Sequence, residues 1–385
     1  MSDSIIPCQR FLFDIPEEMA YFNCSYMAPS LKSVRAAGEL GVARKSTPWA
    51  VKAEDFFNES SRLRSAFAEL IDVEADHIAL LPSVSYGIET AAANLALKQG
   101  QHILVLAEQF PSNYYPWLEK AKRCGGEMKV VARPSDHDWT KAVLEAMNSK
   151  TGIVALPHCH WTDGTLVDLE TVGKRCQEMA VPLVLDVTQS LGALPIDVAN
   201  IKPAFMVAAT YKWLLGPYSL AMMYVNRDYH LGTPLENNWI TRKDSENFSG
   251  LVNYTPALIQ NAVRFDVGER SNFALQPMAI AAADQLLSWS VPAIQASLSG
   301  LTDQIQVKAE ALGFQVPQRE RRGGHMIGIR LDRALPADLA NQLAEQNIFV
   351  SVRGNAIRIS PHLYNHEGDI NRLFNTLEWL LKQAG

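Results

Sequence analysis

The 385-residue sequence predicts an α/β protein, a large domain with a mostly parallel seven-stranded sheet joined to a small C-terminal α+β domain. Three observations predict it. Between residues 77 and 225 short apolar runs recur, as strands buried on both faces require. Amphipathic segments separate several of them, long enough to be helical crossovers between parallel strands. After Pro277, two helical patterns precede three short strand-like runs, a helix and a terminal helix.

The apolar runs are HIALLPS, HILVLAE, MKVVAR, GIVALPH, PLVLDVT, FMVAAT and LAMMYV. GIETAAANLALKQ, NYYPWLEKAKRCG and DLETVGKRCQEMA supply helical spacing between them. The last two runs are joined by little more than GPYS (216–219), too short for a crossover, so that pair is expected to be antiparallel. Residues 226–262, rich in Asn, Tyr and Trp, read as a connecting, pocket-building stretch. MAIAAADQLLSWS and LTDQIQVKAEALG read as helices, MIGIRL as a strand, 336–346 as a helix, and IFVSVRG and AIRISPH as a strand pair. RERR (319–322) reads as a solvated loop. Three regions follow: 1–30 joins the small lobe to the site entrance, 31–260 forms the large domain, and 261–385 forms the small one.

Composition narrows the class. Charged residues make up 20 % and the AVILMFWYC set 48 %, ordinary for a soluble globular chain. A net charge of -6 gives no reason to expect nucleic acid or an anionic membrane as partner. Five cysteines without a CxxC pair speak against a disulfide framework or zinc knuckle and fit a reducing cytoplasm. The opening residues carry acids early and lack a secretory signal pattern, and no apolar run reaches membrane-spanning length. A soluble cytoplasmic protein is expected.

In an open parallel sheet, ligands bind beyond the carboxyl ends of the strands. The residues leaving those ends form a chemically pointed set. Ser83, Ser85 and Gly87 open a helix after HIALL, and the backbone N–H groups of such a start seat phosphate. Plain helix capping is the simpler reading of those serines. QFPSN brings Phe110 and Asn113; HCHWTDG brings His158, His160, Trp161 and Asp163; DVTQS brings Asp186 and Gln189. Lys212 follows FMVAAT, and a lysine closing a buried strand costs desolvation unless its amine is used. A phosphate seat, an aromatic face, a buried carboxylate, an amide and a lysine are what pyridoxal 5'-phosphate requires.

The sequence resembles the class V aminotransferase family of fold type I pyridoxal-phosphate enzymes, which includes cysteine desulfurases, kynureninases and isopenicillin-N-epimerase-like proteins. The resemblance runs from YFNCSYMAP (21–29) to the C-terminal helix. Its most specific part is LVLDVTQSLGALPIDV followed by TYKWLLGP. It implies that Lys212 forms the internal aldimine, Asp186 pairs with the pyridine nitrogen, and Gln189 meets the ring's 3-hydroxyl oxygen. Ser85 and the backbone of Val84 match the phosphate turn, and Tyr211 a phosphate-contacting tyrosine. Phe110 matches the kynureninase-type phenylalanine that stacks on the ring, with Asn113 in place of that block's aspartate. Arg358, in RISPHLYNHEGDI, matches the arginine that grips the substrate carboxylate, a task its planar fork suits. GERSN (268–272) aligns with a segment that reaches the neighbouring subunit's phosphate, which implies a homodimer with shared sites and brings in Arg270, Ser271 or Asn272.

Departures from the family pattern narrow the chemistry. No cysteine follows Cys176, so a desulfurase relying on a small-lobe cysteine is not expected. Trp161 replaces the asparagine of desulfurase-like relatives and is expected to wall the substrate pocket. His158 and His160 are either acid–base groups or hydrogen-bonded architecture. No ligand cluster supports a metal at HCH. Trp49, Trp161, Trp213 and Trp239 are available for an aromatic-lined pocket. The expected activity is that of an aminotransferase or a kynureninase-like C–C or C–S lyase acting on an amino acid through an external aldimine and a Cα carbanion. The alternatives are an epimerase of the isopenicillin N type and a cofactor-binding protein without turnover.

Overall fold

Seven apolar runs become the seven strands of one sheet. The computed structural model describes residues 5–336 and 338–384. The described chain opens with a two-residue strand, β1 (Ala20–Tyr21), followed by α1 (Lys32–Arg44) and α2 (Asp55–Leu70) of the large lobe. Alternation follows: β2 (Ile78–Leu81), α3 (Val84–Asn94), β3 (His102–Leu106), α4 (Tyr115–Cys124), β4 (Glu127–Val131) and α5 (Trp139–Ala146). It continues through β5 (Thr151–Pro157), α6 (Leu169–Glu178), β6 (Leu183–Asp186), α7 (Val198–Ile201), β7 (Phe205–Ala209) and β8 (Ala221–Val225).

The sheet order is β2-β8-β7-β6-β5-β3-β4. Strands β3 to β7 are mutually parallel, and β8 runs antiparallel to both β7 and β2, as the short GPYS link requires. Every residue of β3, β5, β6 and β7 is buried, whereas four of the five in β4 are not, because β4 is the edge. Successive residues feed opposite faces: Leu104, Val154, Leu156 and Leu185 join one apolar cluster, while Ile103, Val105, Ile153 and Val184 join the other. Gly87 lets α3 lie close on the sheet, since a Cβ there would meet Val207 at 2.8 Å and Leu81 at 2.9 Å. That contact fixes where α3 begins.

The rest comprises α8 (Leu275–Trp289), α9 (Val291–Ala311), β9 (Ile327–Arg330), α10 (Leu339–Glu345), β10 (Ile348–Phe349), β11 (Ser351–Arg353), β12 (Ala356–Ile359) and α11 (Glu367–Ala384). Strands β11, β12 and β9 form an antiparallel sheet, and β10 pairs with β1. A third apolar cluster, including Phe22, Ile305, Ile327, Ile357 and Leu377, makes the small core.

Several expectations are corrected. Helix α8 packs on α1 and α2, with Ala279, Ala282 and Leu286 in the large core, and α9 contributes Ile294 and Leu298 to that core but Ile305 and Ala309 to the small one. RERR is not wholly solvated: Arg322 is buried and its Nη2 donates to Gln306 Oε1 at 2.8 Å. In the 226–262 stretch, Trp239 packs against Phe56, Phe57 and Phe248, away from the strand-end cleft. Residues of the 5–30 stretch contribute to both cores: Phe13 and Cys24 to the large one, Ala20 and Phe22 to the small one. No helix among the described residues is long and apolar enough to cross a membrane.

Candidate active site

The carboxyl ends of β2, β3, β5, β6 and β7 border a cavity of about 300 Å³, large enough for a small heterocycle with its phosphate. After β2, Ser83 caps α3 by accepting from Tyr86 N–H at 3.2 Å, and its Oγ lies 3.0 Å from Ser85 Oγ. Val84 and Ser85 form the first helical positions, whose N–H groups have no intrahelical acceptor and face the positive end of the dipole. Capping and an anion seat thus coexist here. The two readings of the serines are not exclusive.

Asp186 ends β6. Its Oδ1 accepts from Thr188 N–H at 3.0 Å, and burial pushes its carboxyl above the usual carboxylate range. Lys212 lies three residues beyond β7, is 7 % exposed, and its amine makes no hydrogen bond to any described residue. Burial lowers its pKa to about 8, against the opposing pull of Asp186; Arg358 adds to the lowering. The amine stands 5.5 Å from the Phe110 ring centroid and 5.4 Å from that of Tyr211. Tyr211 packs against Tyr218, and burial pushes its phenol up to about 12.

The cleft continues past Lys212 to the small lobe, where Arg353 and Arg358 line it with Ser25 and Tyr26. Arg358, on β12, is 1 % exposed and donates to the Trp161 carbonyl at 2.7 Å, while its Nε has no partner. Burial lowers its pKa to about 9, with Arg353 as a like-charged neighbour. Trp161 anchors its own indole N–H on the Glu108 carbonyl at 2.7 Å and meets Phe110 edge-on at 5.5 Å.

Three predicted residues stand elsewhere or are otherwise engaged. Asn113 is fully buried, accepting from Trp117 Nε1 at 2.9 Å; Gln109 and Ser112 line the cavity from that turn in its place. Gln189 does line the cavity, but its Nε2 donates to the Ser25 carbonyl and its Oε1 accepts from Trp213. Asn272 caps α8 by accepting from Ala274 and Leu275 N–H, Arg270 is paired with Asp266, and Ser271 donates to the Phe56 carbonyl. Neither histidine of HCHWTDG lines the cleft. His160 stacks on Trp139 and bonds Thr162 and the Ala107 carbonyl, while His158 borders a different groove and is lowered by burial to about 4. Of the four tryptophans, Trp161 alone lines the cleft; Trp213 is buried behind Gln189 and Trp49 is exposed. Sequence reading missed Thr188, Ser219 and Arg353. Thr188 was signalled by its place in DVTQS beside the aspartate.

These groups fit pyridoxal phosphate. Asp186 is a buried carboxylate without an arginine partner, which a protonated pyridine nitrogen would complete. The opening turn of α3 offers free N–H groups for a phosphate, and Phe110 offers a ring face.

The comparisons agree. The family model described as aminotransferase class-V matches residues 50–373. The chain is 27 % identical over 341 residues to an uncharacterized aminotransferase, YcbU, of Bacillus subtilis, covering 86 % of each. It is 23 % identical to a kynureninase of Shouchella clausii, over 99 % of this chain and 93 % of that one. Among solved structures, a cysteine desulfurase of Thermococcus onnurineus superposes with a TM-score of 0.85 at 17 % identity, over 99 % of this chain and all of the other. The cystine C–S lyase C-DES in complex with cysteine persulfide gives 0.84 at 18 % identity, over 94 % and 98 %. A match this long, on a sheet whose strand ends gather a buried lysine and aspartate beside a free helix N-terminus, has one reading: the chain belongs to the class V aminotransferase family of fold type I enzymes, with pyridoxal phosphate as its cofactor.

Proposed function

We propose that this enzyme moves the α-proton of an amino acid with Lys212 as base and Arg358 as the carboxylate clamp, leading to transamination or to a kynureninase-like C–C or C–S lyase outcome. One observation carries the reading: the Lys212 amine is buried without a hydrogen-bond partner among the described residues, and its pKa of about 8 makes a neutral amine accessible near physiological pH.

Pyridoxal phosphate supplies an aldehyde carbon that captures amines and a pyridinium ring that accepts the electron pair released at Cα. Lys212 would hold the aldehyde, Asp186 the pyridinium N–H, the Val84 and Ser85 N–H groups the phosphate, and Phe110 the ring face. Tyr211 would add a phenol at the phosphate, and Gln189 contributes indirectly by fixing Ser25 and Trp213. Arg358 presents its guanidinium from the small lobe, steadied on the Trp161 carbonyl. Once the substrate's amine has taken its place at the aldehyde, Nζ of Lys212 is free to take the α-proton and hold it for return.

A persulfide route through a mobile small-lobe cysteine is not part of this proposal. Cys24 and Cys159 are buried, and burial pushes both thiols well up. All five cysteines are free, which supports a reducing, cytoplasmic setting. A homodimer is proposed from the family resemblance, and the exposed Leu40, Val42, Trp49 and Tyr254 offer apolar surface for it. With Asn272 capping α8, its amide nitrogen remains the group available to a partner's phosphate.

The test follows the cofactor spectrum of the loaded enzyme during an amino-acid screen. Conversion to the pyridoxamine form indicates transamination, and release of alanine or pyruvate indicates a lyase. Absence of any spectral response to any amino acid would sink the proposal.

A further inference from the structure

Two guanidinium groups, not one, face the cleft. Arg353 and Arg358 sit on adjacent strands of the β11–β12 hairpin, where Ser351 is paired with Arg358 and Arg353 with Ala356. Ser351 and Arg353 share a face of β11, and that face is Arg358's, so the two arginines are diagonal neighbours on one side of the sheet. The link between the strands is only Gly354 and Asn355, with Gly354 at a φ of 57°, so Arg353 is held at a tight turn.

Trp161, entering from the large lobe, organises both. Its carbonyl accepts from Arg358 at 2.7 Å, and its indole lies 5.7 Å beneath the Arg353 guanidinium. Arg353 Nη1 donates to the Val352 carbonyl at 2.9 Å, and no described carboxylate forms an ion pair with either arginine. Other buried arginines, such as Arg10 and Arg64, are neutralised by Asp369 and Asp266. Among the described residues lining the cleft, Asp186 is the only acid, against the cations Lys212, Arg353 and Arg358.

A single α-carboxylate neutralises one of those arginines. That leaves Arg353, half-buried on the same cleft, without a counter-charge; an acidic group on the substrate's side chain would supply one, whereas the helix start at Val84 and Ser85 borders the other part of the cavity. We infer that Arg353 is a specificity-determining residue, and that this enzyme takes amino acids whose side chain ends in an acidic group, held by Arg353 over the Trp161 face while Arg358 holds the α-carboxylate. The inference rests on the role proposed above for Arg358.

The test is a spectral titration of the pyridoxal-phosphate-loaded enzyme with L-aspartate and L-glutamate against L-asparagine and L-glutamine, which match them in shape but lack the charge. Wild type is expected to bind the acids about 10- to 100-fold more tightly than the amides, the worth of a charge-assisted hydrogen-bonded pair. Arg353→Gln should erase that preference while leaving affinity for the amides within about threefold, and Arg353→Lys should restore part of it. Arg358→Gln should weaken all four ligands alike. Calorimetry with glutarate and butyrate gives a readout free of turnover: the dianion should bind more tightly only while Arg353 is present. Equal affinity for acids and amides in wild type, or an undiminished preference in Arg353→Gln, overturns this inference and leaves the role of Arg358 standing. Indifference of every ligand to Arg358→Gln overturns that role and this inference with it.

Discussion

Two clusters of buried charge, one within the large lobe and one where the lobes meet, are built on opposite terms. In the first, Asp266 is enclosed by Arg64, which donates Nη1 and Nη2 to its two oxygens, by Arg270 at 2.6 Å, and by Leu80 N–H at 2.8 Å. All three charged side chains are nearly inaccessible, and together they tie α2, β2 and the segment leading into α8. In the second, Asp186 has Thr188, Lys212 has aromatic faces, and Arg358 has carbonyl and hydroxyl oxygens but no carboxylate. Charges that saturate one another hold the fold. Charges buried without saturation mark the space a ligand fills, and the pKa shifts of Lys212 and Asp186 express the same incompleteness.

The comparison can be broken experimentally. Lys212→Ala should give the largest effect, a loss of turnover of about 10³-fold or more, with no cofactor left attached after borohydride reduction and no loss of thermal stability. Mass spectrometry of the digested protein and a thermal melt check both halves. Asp266→Ala should do the reverse. It should cost about 3–5 kcal/mol in urea unfolding, because two buried arginines lose their counter-charge. An unchanged unfolding midpoint would show that the first cluster is not structural.

Smaller effects sharpen the contrast. Asp186→Asn should lower turnover about 100-fold while leaving the unfolding curve close to wild type, if the cofactor is the aspartate's main partner as proposed. Paired kinetics and unfolding on one preparation would show it. The rate at which cofactor-free protein captures pyridoxal phosphate should rise as pH increases through about 8. The sign follows from the folded-state pKa lying below the ordinary lysine value: the amine is protonated and inert below that pH, neutral and nucleophilic above it. Stopped-flow absorbance from pH 6 to 10 measures the profile, and a midpoint near 10.5 would contradict the desolvated environment.

Much of this was legible in the sequence because buried parallel strands write themselves as uninterrupted apolar runs, so strand ends could be located and their residues collected. Lys212, Asp186, Phe110, Ser85, Tyr211 and Trp161 all reach the cleft for that reason, whereas Arg358, on an antiparallel strand of the small lobe, was picked out by the family resemblance of RISPHLYNHEGDI. Asn113 did not, because QFPSN coils into a short 3-10 turn whose geometry aims Ser112 at the cavity and Asn113 at Trp117. Gln189's bonds to Ser25 and Trp213 join residues distant in sequence, which local patterns do not encode. Which core α8 joins was not legible either, since a helix written in small apolar residues is equally suited to both. Arg353 looked like an ordinary hairpin-end residue, and its significance depends on Trp161 lying beneath it.

The pairing of β1 with β10 places Ala20 beside Ile348 and brings Ser25 and Tyr26 to the mouth of the cleft. During synthesis the early partner must therefore wait for the late one, an interval on the order of tens of seconds at ordinary elongation speed. The seven-stranded sheet can assemble long before that, but the doorway that admits substrate is hung only when nearly the whole polypeptide has left the ribosome. Nascent chains should thus acquire a core first and a working entrance last.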